Sequence, residues 1–449
     1  MATAEAKGGG ASRERRSRKA IAAALDAIAA MAEGRPLRLA LSEALGRAGT
    51  LGPKERRSVA VAARGVVRWQ RTCDAALSLA RAPRTIPADR ALLRYLAWRV
   101  AILGEPHEPA LRELALPGPR RPRALSDDAL RAVAVALPRP GERGPASVLP
   151  SGAPVTPPRD PAVALALRYS VPDLLAAKLL AQVGPAEAAA CLAALAEEPR
   201  LALRVNAARA TREEVLSRLR AAGVSAEPGD DPLAIRVADR AGLFDAGPFR
   251  EGVVEVQDEG SQSIVAACRA APGERWLDLC AGTGGKALAL AALGARVTAW
   301  DASARRLAEL PRRARRARLE VEVAPGPPSG SFEGVLVDAP CSGSGALQRE
   351  PDARWRIDEA ALSRLMAAQD EVLARAARLV RPGGTLVYAT CSVLRDEGEE
   401  RVARLLAAGG FALDEERRRW PHRDPGGGFY VARLVRWGDW GERPPLPPN

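Results

Sequence analysis

The sequence predicts an α/β protein: a doubly wound, mostly parallel sheet at the C-terminus, preceded by an all-helical segment and a small α/β unit. Three observations predict it. From about residue 250 the chain repeats strand, turn and helix, with the apolar runs "RWLDLC", "RVTAWD", "GVLVDAP" and "GTLVYATC" in the strand positions. A single helical stretch, "DEAALSRLMAAQDEVLARAARLV", separates the last two runs, which makes a βαβ unit with neighbouring strands. A glycine-rich turn joins the first run to a helix, and the second run ends on Asp301, as at the ligand-binding edge of such sheets.

The elements follow in order. Residues 1–19 are small, polar and basic, and are expected to form a disordered leader. From 20 to 145 the pattern is helical, broken at "AEGRP", "AGTLGP" and "RAPRTIP" and increasingly rich in Pro and Arg towards its end. Within it, "LGPKERRSVAVAARGVVRWQRTCDAAL" places Val59, Ala63, Val66 and Val67 on one helix face and Arg56, Arg57, Arg64, Arg68 and Arg71 mostly elsewhere. Residues 146–160 read as a linker. A small α/β unit is expected over 161–245, where "TREEVLSRLRAAG" is a capped helix stopping at Gly and "LAIRVA" a strand. The large sheet occupies 246–440, closed by a pair that includes "GFYVARLVR", and 441–449 form a tail.

Bulk properties narrow the function. A chain of 449 residues carries two or three domains at about 100–200 residues each. No run approaches the ~18 uninterrupted apolar residues of a membrane helix, and Asp26 interrupts the one signal-like stretch, so a cytoplasmic protein is expected. A net charge of +13 and pI near 10.2 point to a polyanionic partner, although only five of the 67 basic residues are Lys. The six cysteines (Cys73, Cys191, Cys268, Cys280, Cys341 and Cys391) include no C-x-x-C pair, which argues against a structural metal. The two histidines, His107 and His422, lack any nucleophile motif, which argues against a Ser-His-Asp hydrolase.

The turn Cys280, Ala281, Gly282, Thr283, Gly284, Gly285, Lys286 is the first chemical signal. A phosphate-binding P-loop fails here, because Cys280 stands where its first Gly should be and Ala287 where Ser or Thr should follow Lys. A G-x-G-x-x-G dinucleotide fingerprint fails at Ala287 as well. S-adenosylmethionine is the remaining nucleotide-like ligand, with Asp301 placed for its ribose hydroxyls; the bland alternative is a tight turn packing a helix on a sheet. The second signal is a cysteine just beyond each of two adjacent strands, Cys341 in "DAPCSG" and Cys391 in "ATCS". Cys73, Cys191 and Cys268 lie inside helical patterns and read as core. A methyl donor beside a thiol suits C5 of cytosine, which becomes nucleophilic only after thiolate adds at C6. Asp338 would hold the N3/N4 edge of the base, and the second thiol would help to release the adduct.

"VVEVQDEGSQ", "LDLCAGTGGKALAL", "VLVDAPCSGSGALQREPDARWR", "RPGGTLVYATCSVLRDEGEERV" and "GGGFYVARL" together resemble the Sun-type, RsmB-like bacterial ribosomal RNA cytosine-C5 methyltransferases over roughly 250–436. The resemblance implies a Rossmann-like methyltransferase sheet, a NusB-like helical RNA-binding domain in front and S-adenosylmethionine as cofactor. It further implies ribosomal RNA as partner; no metal, no membrane and a monomer are also expected. It assigns attack on C6 to Cys391 and adduct resolution to Cys341, gives Cys280 to Lys286 and Asp301 to the donor site, and sets Asp338 between donor and base. It also brings Lys286 towards the reacting centre. Two positions depart from the family pattern: Thr283 replaces its usual Pro, and "VEVAPGPPSG" lacks the acid that follows the third strand.

Three other readings compete. A DNA cytosine-C5 methyltransferase would attack with the Pro-Cys thiol and leave Cys391 without a task. A non-catalytic RNA-binding or assembly factor would need neither thiol, and an amino-methylating enzyme would carry Asp-Pro-Pro-aromatic where this chain has Asp-Ala-Pro-Cys. The seven arginines between 305 and 318 fit a phosphate surface and a solvated helix equally well.

Overall fold

A computed structural model describes residues 3–83, 85–114, 126–137, 158–238 and 242–437, with side chains from residue 16 onward. The tail 441–449 and all but the last three residues of the linker 146–160 lie outside the described residues. The chain divides into two compact units, Met1–Ala181 and Gln182–Asn449.

The first unit is helical. Its helices Pro53–Arg68 and Pro87–Ala97 both begin on a proline, whose fixed φ suits the first helical position. The long helix expected from 51 breaks at Trp69 (φ −103°, ψ 17°), and Arg68 is buried rather than solvent-facing. The first helix runs Thr3–Ala32, so the leader expected over 1–19 is largely continuous with it. The Arg, Lys, Glu and Ala between 11 and 24 propagate helix readily. Residues 161–173, expected in the second domain, are fastened to the first unit instead. Thr72 Oγ1 donates to Leu167 O (2.8 Å), Arg71 N to Ser170 Oγ (3.0 Å), and Arg71 pairs with Asp173 (2.7 Å).

The division therefore falls inside the helix Asp173–Ala196. By length and composition this 24-residue helix is apolar enough to cross a membrane (mean hydropathy 1.5). Gly184 (φ 76°, ψ 172°) and Pro185 break it into two pieces, each well short of the ~20 residues a span requires.

The second unit holds two sheets. The small one contains β1 (Leu201–Val205), β2 (Ala226–Pro228), β3 (Ala234–Val237) and β4 (Val254–Val256) in the order β2-β3-β1-β4, antiparallel throughout. Helix Arg212–Ala221 covers it and starts on a reciprocal Thr211–Glu214 capping box. Strand β4 comes from "VVEVQ", which the sequence places in the large-sheet domain from 246. It pairs with β1 (Leu203↔Val256), because Val253 and Val254 complete the core of Leu203, Val205 and Ile235.

The large sheet contains β5 (Arg275–Asp278), β6 (Arg296–Ala299), β7 (Glu322–Val323), β8 (Phe332–Asp338), β9 (Val380–Thr390), β10 (Phe411–Arg419) and β11 (Phe429–Arg436). Their order is β10-β11-β9-β8-β5-β6-β7, parallel except where β11 joins β9 and β10. Apolar side chains cover both faces, Trp276 and Leu336 on one, Leu277 and Tyr388 on the other. Chain progression reverses between β5 and β8, and the crevice at such a switch point is where open α/β sheets bind ligands.

Candidate active site

Strand β5 ends at Asp278 and feeds the turn Cys280–Gly284, after which helix Gly285–Ala292 begins. Gly284 has φ 83°, and a Cβ there would run into the Leu310 side chain, so only glycine fits on both counts. Asp301, just beyond β6, fixes the turn: Gly282 N donates to its Oδ2 and Ser303 N to its Oδ1, each at 2.8 Å. Ala281 is buried, with its N–H donated to Trp300 O. Cys280 is pushed up by burial and by Asp278, Asp338 and Asp301, and so remains a thiol.

Across the switch point Lys286 Nζ lies 2.5 Å from Asp338 Oδ2, which ends β8. Burial works against the ammonium of Lys286, but Asp338, then Asp278 and Cys391, outweigh it and hold its pKa above the usual value. The Lys286 chain thus links the glycine turn, the end of β8 and the thiol at the end of β9.

Register brings the two cysteines together. Asp338 of β8 pairs with Ala389 of β9, so Cys341 and Cys391 leave neighbouring strands three and two residues later. Their Sγ atoms are 3.4 Å apart. The hydrogen bond to Cys391, followed by burial and the charges of Cys391 and Glu397, raises Cys341 well above the ordinary thiol range. Either sulfur can be the donor in this contact. Cys73, Cys191 and Cys268 are fully buried in helices, as expected, and burial pushes Cys191 up to about 12.

Both thiol-bearing loops hang on one buried carboxylate. Glu397 accepts from Ser342 N (2.8 Å), Ser342 Oγ (2.5 Å), Ser392 Oγ (2.6 Å) and Gln369 Nε2 (3.1 Å). Ser344 Oγ lies 2.9 Å from Ser392 Oγ and accepts from Val393 N, while Tyr388 Oη donates to Glu397 O. This shared carboxylate ties the two loops together, and with them the thiol separation.

Comparison with known proteins agrees with this arrangement. The family described as 16S rRNA methyltransferase RsmB/F matches residues 265–435, and the ferredoxin-like domain of RsmF/B-like methyltransferases matches 171–242. Ribosomal RNA small subunit methyltransferase B of Serratia proteamaculans is 34% identical over 289 residues, 60% of this chain and 67% of that protein. The chain belongs to the RsmB/F family of ribosomal RNA methyltransferases. The Klebsiella pneumoniae protein of the same name is 33% identical over 288 residues, with the same coverage of both chains. Among solved structures, PH0851 superposes with a TM-score of 0.75 at 24% identity, covering 93% of this chain and 98% of its own. NSun6 from Pyrococcus horikoshii, solved with SFG, gives 0.55 at 18% identity, covering 60% and 99%. At those identities the likeness is one of fold.

The RsmB/F-type site holds three residues that sequence reasoning did not single out. Glu397 sits in the acidic run "DEGEE" and reads like any solvated acid. Glu255, on β4, reaches the glycine turn only through arginines. Asp278 left a signal, an ionisable residue ending an apolar strand directly before the glycine turn. It is buried, and neither carboxylate oxygen has a well-aligned hydrogen-bond partner. Burial raises its pKa to about 7, which Lys286 and the nearby amides of Cys280 and Ala287 only partly offset.

A folded pKa above the unfolded one means that the stabilising contribution of Asp278 is full below about pH 4 and is lost as pH rises to about 7. Asp278→Asn, which mimics the neutral form, should stabilise the donor-free protein at pH 8 by about 2–4 kcal/mol, with the gain vanishing towards pH 4. Denaturant melts at the two pH values check this, and equal gains at both would contradict it.

Proposed function

We propose that the chain transfers a methyl group from S-adenosylmethionine to C5 of a cytosine in small-subunit ribosomal RNA, with Cys391 attacking C6. The observation that carries the reading is the pair of thiols 3.4 Å apart at the switch-point edge, with Lys286 close enough to feel the charge of Cys391.

The residues around the turn suit the donor. Asp301 presents a carboxylate already oriented by two amides, matched to a ribose diol. Asp278 offers buried acceptor oxygens without aligned donors, a natural partner for the ammonium of a methionyl group. Bound there, S-adenosylmethionine supplies an electrophilic methyl group.

The protein's own groups do the rest. Asp338, held by Lys286, is placed to accept from the amino edge of cytosine. The Cys391 thiolate adds to C6, and the displaced electron pair makes C5 nucleophilic. Once Cys391 sulfur is bonded to C6, the hydrogen bond that contributes most to raising Cys341 and the charge of Cys391 are both gone, while burial remains, and Cys341 becomes more acidic. Cys341 then gives its own proton to solvent, and the resulting thiolate takes the C5 proton; the C5–C6 double bond re-forms and expels the Cys391 thiolate. Stacked bases must first be extruded, at a cost of a few kcal/mol, which favours an unpaired cytosine.

Ribosomal RNA as partner agrees with the net charge of +13. RNA affinity should fall linearly with log salt, and removing residues 1–160 should flatten the slope while donor binding persists. An unchanged slope would take the helical region out of RNA binding. Nucleoside analysis of small-subunit RNA incubated with protein and labelled donor tests the reaction itself. Label in 5-methylcytidine is expected; label on another base, or on an exocyclic nitrogen, would refute the assignment.

A further inference from the structure

The Arg-rich run and the unusual Thr283 meet at one place. Of the arginines on helix Leu310–Ala317, Arg312 and Arg315 face solvent, whereas Arg313 and Arg316, three residues apart, turn inward. Arg313 Nη1 donates to Thr283 O at 2.7 Å and to Thr283 Oγ1 at 3.0 Å. Its Nη2 is held by Glu255 Oε2 at 2.9 Å, and Arg316 pairs with the other Glu255 oxygen. Glu255 lies on β4 with its side chain only 5% exposed. Its cross-strand neighbour on β1 is Arg204, also buried, which donates to Gly285 O at 2.8 Å and to Gln257 Oε1.

We propose that Arg313, held by Glu255, is a positioning residue for the methyl-donor turn: it pins the backbone at Thr283 while Arg204 pins Gly285. The proposal rests on reading this turn as the donor site. Thr283 stands between Gly282 and Gly284, both at positive φ, in a stretch with little intrinsic stiffness. Asp301 fixes the amide of Gly282, and the two guanidiniums fix the carbonyls on either side of Gly284. A turn ordered before the donor arrives spares the ordering entropy that binding would otherwise oppose. The small sheet thereby becomes part of the donor site without touching donor. Loss of Arg313 leaves Glu255 paired with Arg316, so the effect should fall on the turn rather than on the fold.

The test uses the full chain and calorimetry with S-adenosylhomocysteine, which cannot react. Arg313→Met should weaken its binding about tenfold, the scale of a lost charge-assisted hydrogen bond. The KM for S-adenosylmethionine should rise by a similar factor, with kcat at saturating donor unchanged. Arg313→Lys should recover part of the affinity. Thr283→Val, which removes only the hydroxyl, should weaken binding about threefold alone and not at all on the Arg313→Met background. Wild-type affinity in Arg313→Met, or a fall in kcat with an unaltered donor KM, overturns the proposal. If Arg313→Met does not fold, wild-type affinity in both Arg313→Lys and Thr283→Val overturns it. A wild-type protein that fails to bind S-adenosylhomocysteine removes the donor reading itself, and the clamp with it.

Discussion

Replacing Cys391 with alanine is expected to lower methyl transfer by on the order of 10^4-fold or more, with donor and RNA affinity retained. The reason is chemical. C5 of cytosine has no adequate nucleophilicity until a group adds at C6, and Cys391, at the edge of β9, is the residue proposed to supply that group. Cys341 leaves the end of the neighbouring strand β8 and is proposed to serve the later removal of the C5 proton rather than the attack. No covalent complex with RNA should form. Radiolabelled donor and a filter assay measure the rate, and more than about one per cent residual activity would remove Cys391 as nucleophile.

The second large effect concerns Asp338. Asp338→Ala leaves Lys286, with its side chain only 12% exposed, without its nearest counter-charge. Breaking such a pair from one side should destabilise the protein by about 2–3 kcal/mol. Activity should fall about 10^2–10^3-fold as well, since the base loses the group proposed to fix its amino edge. The double variant Lys286→Met with Asp338→Ala removes both charges of the pair. Its stability should return towards wild type while its activity stays low. Recovery of both would mean that Asp338 serves only to neutralise Lys286.

The large sheet was legible because its strands are continuous apolar runs closed by Gly, Pro or Asp, and a single crossover helix made β8 and β9 neighbours. That adjacency already placed Cys341 beside Cys391. The domain edge was not legible. Helix Asp173–Ala196 reads as one largely apolar stretch in which only Gly184 and Pro185 are helix breakers, while Thr72 and Arg71 draw 161–173 to the first unit through bonds spanning about a hundred residues. "VVEVQ" has the composition of a strand in either sheet, and only its packing against Val205 and Ile235 decides between them. The supports of the site were hidden for the same reason. Glu397, Glu255 and Arg313 act across distances in sequence that no local pattern encodes, and an acid or arginine in a charged run looks solvated until the fold is known.

The most direct measurement is the mass of the peptide left attached to RNA after Cys341→Ala protein reacts with donor and is denatured in SDS. Without Cys341 the adduct should form and accept its methyl group but lack the thiol that removes the C5 proton. The account predicts a linked peptide containing Cys391 and carrying a C5-methylated cytidine adduct, and no link in the Cys391→Ala protein. A link at Cys341 in the Cys391→Ala protein, with none in Cys341→Ala, would reverse the two roles and contradict it.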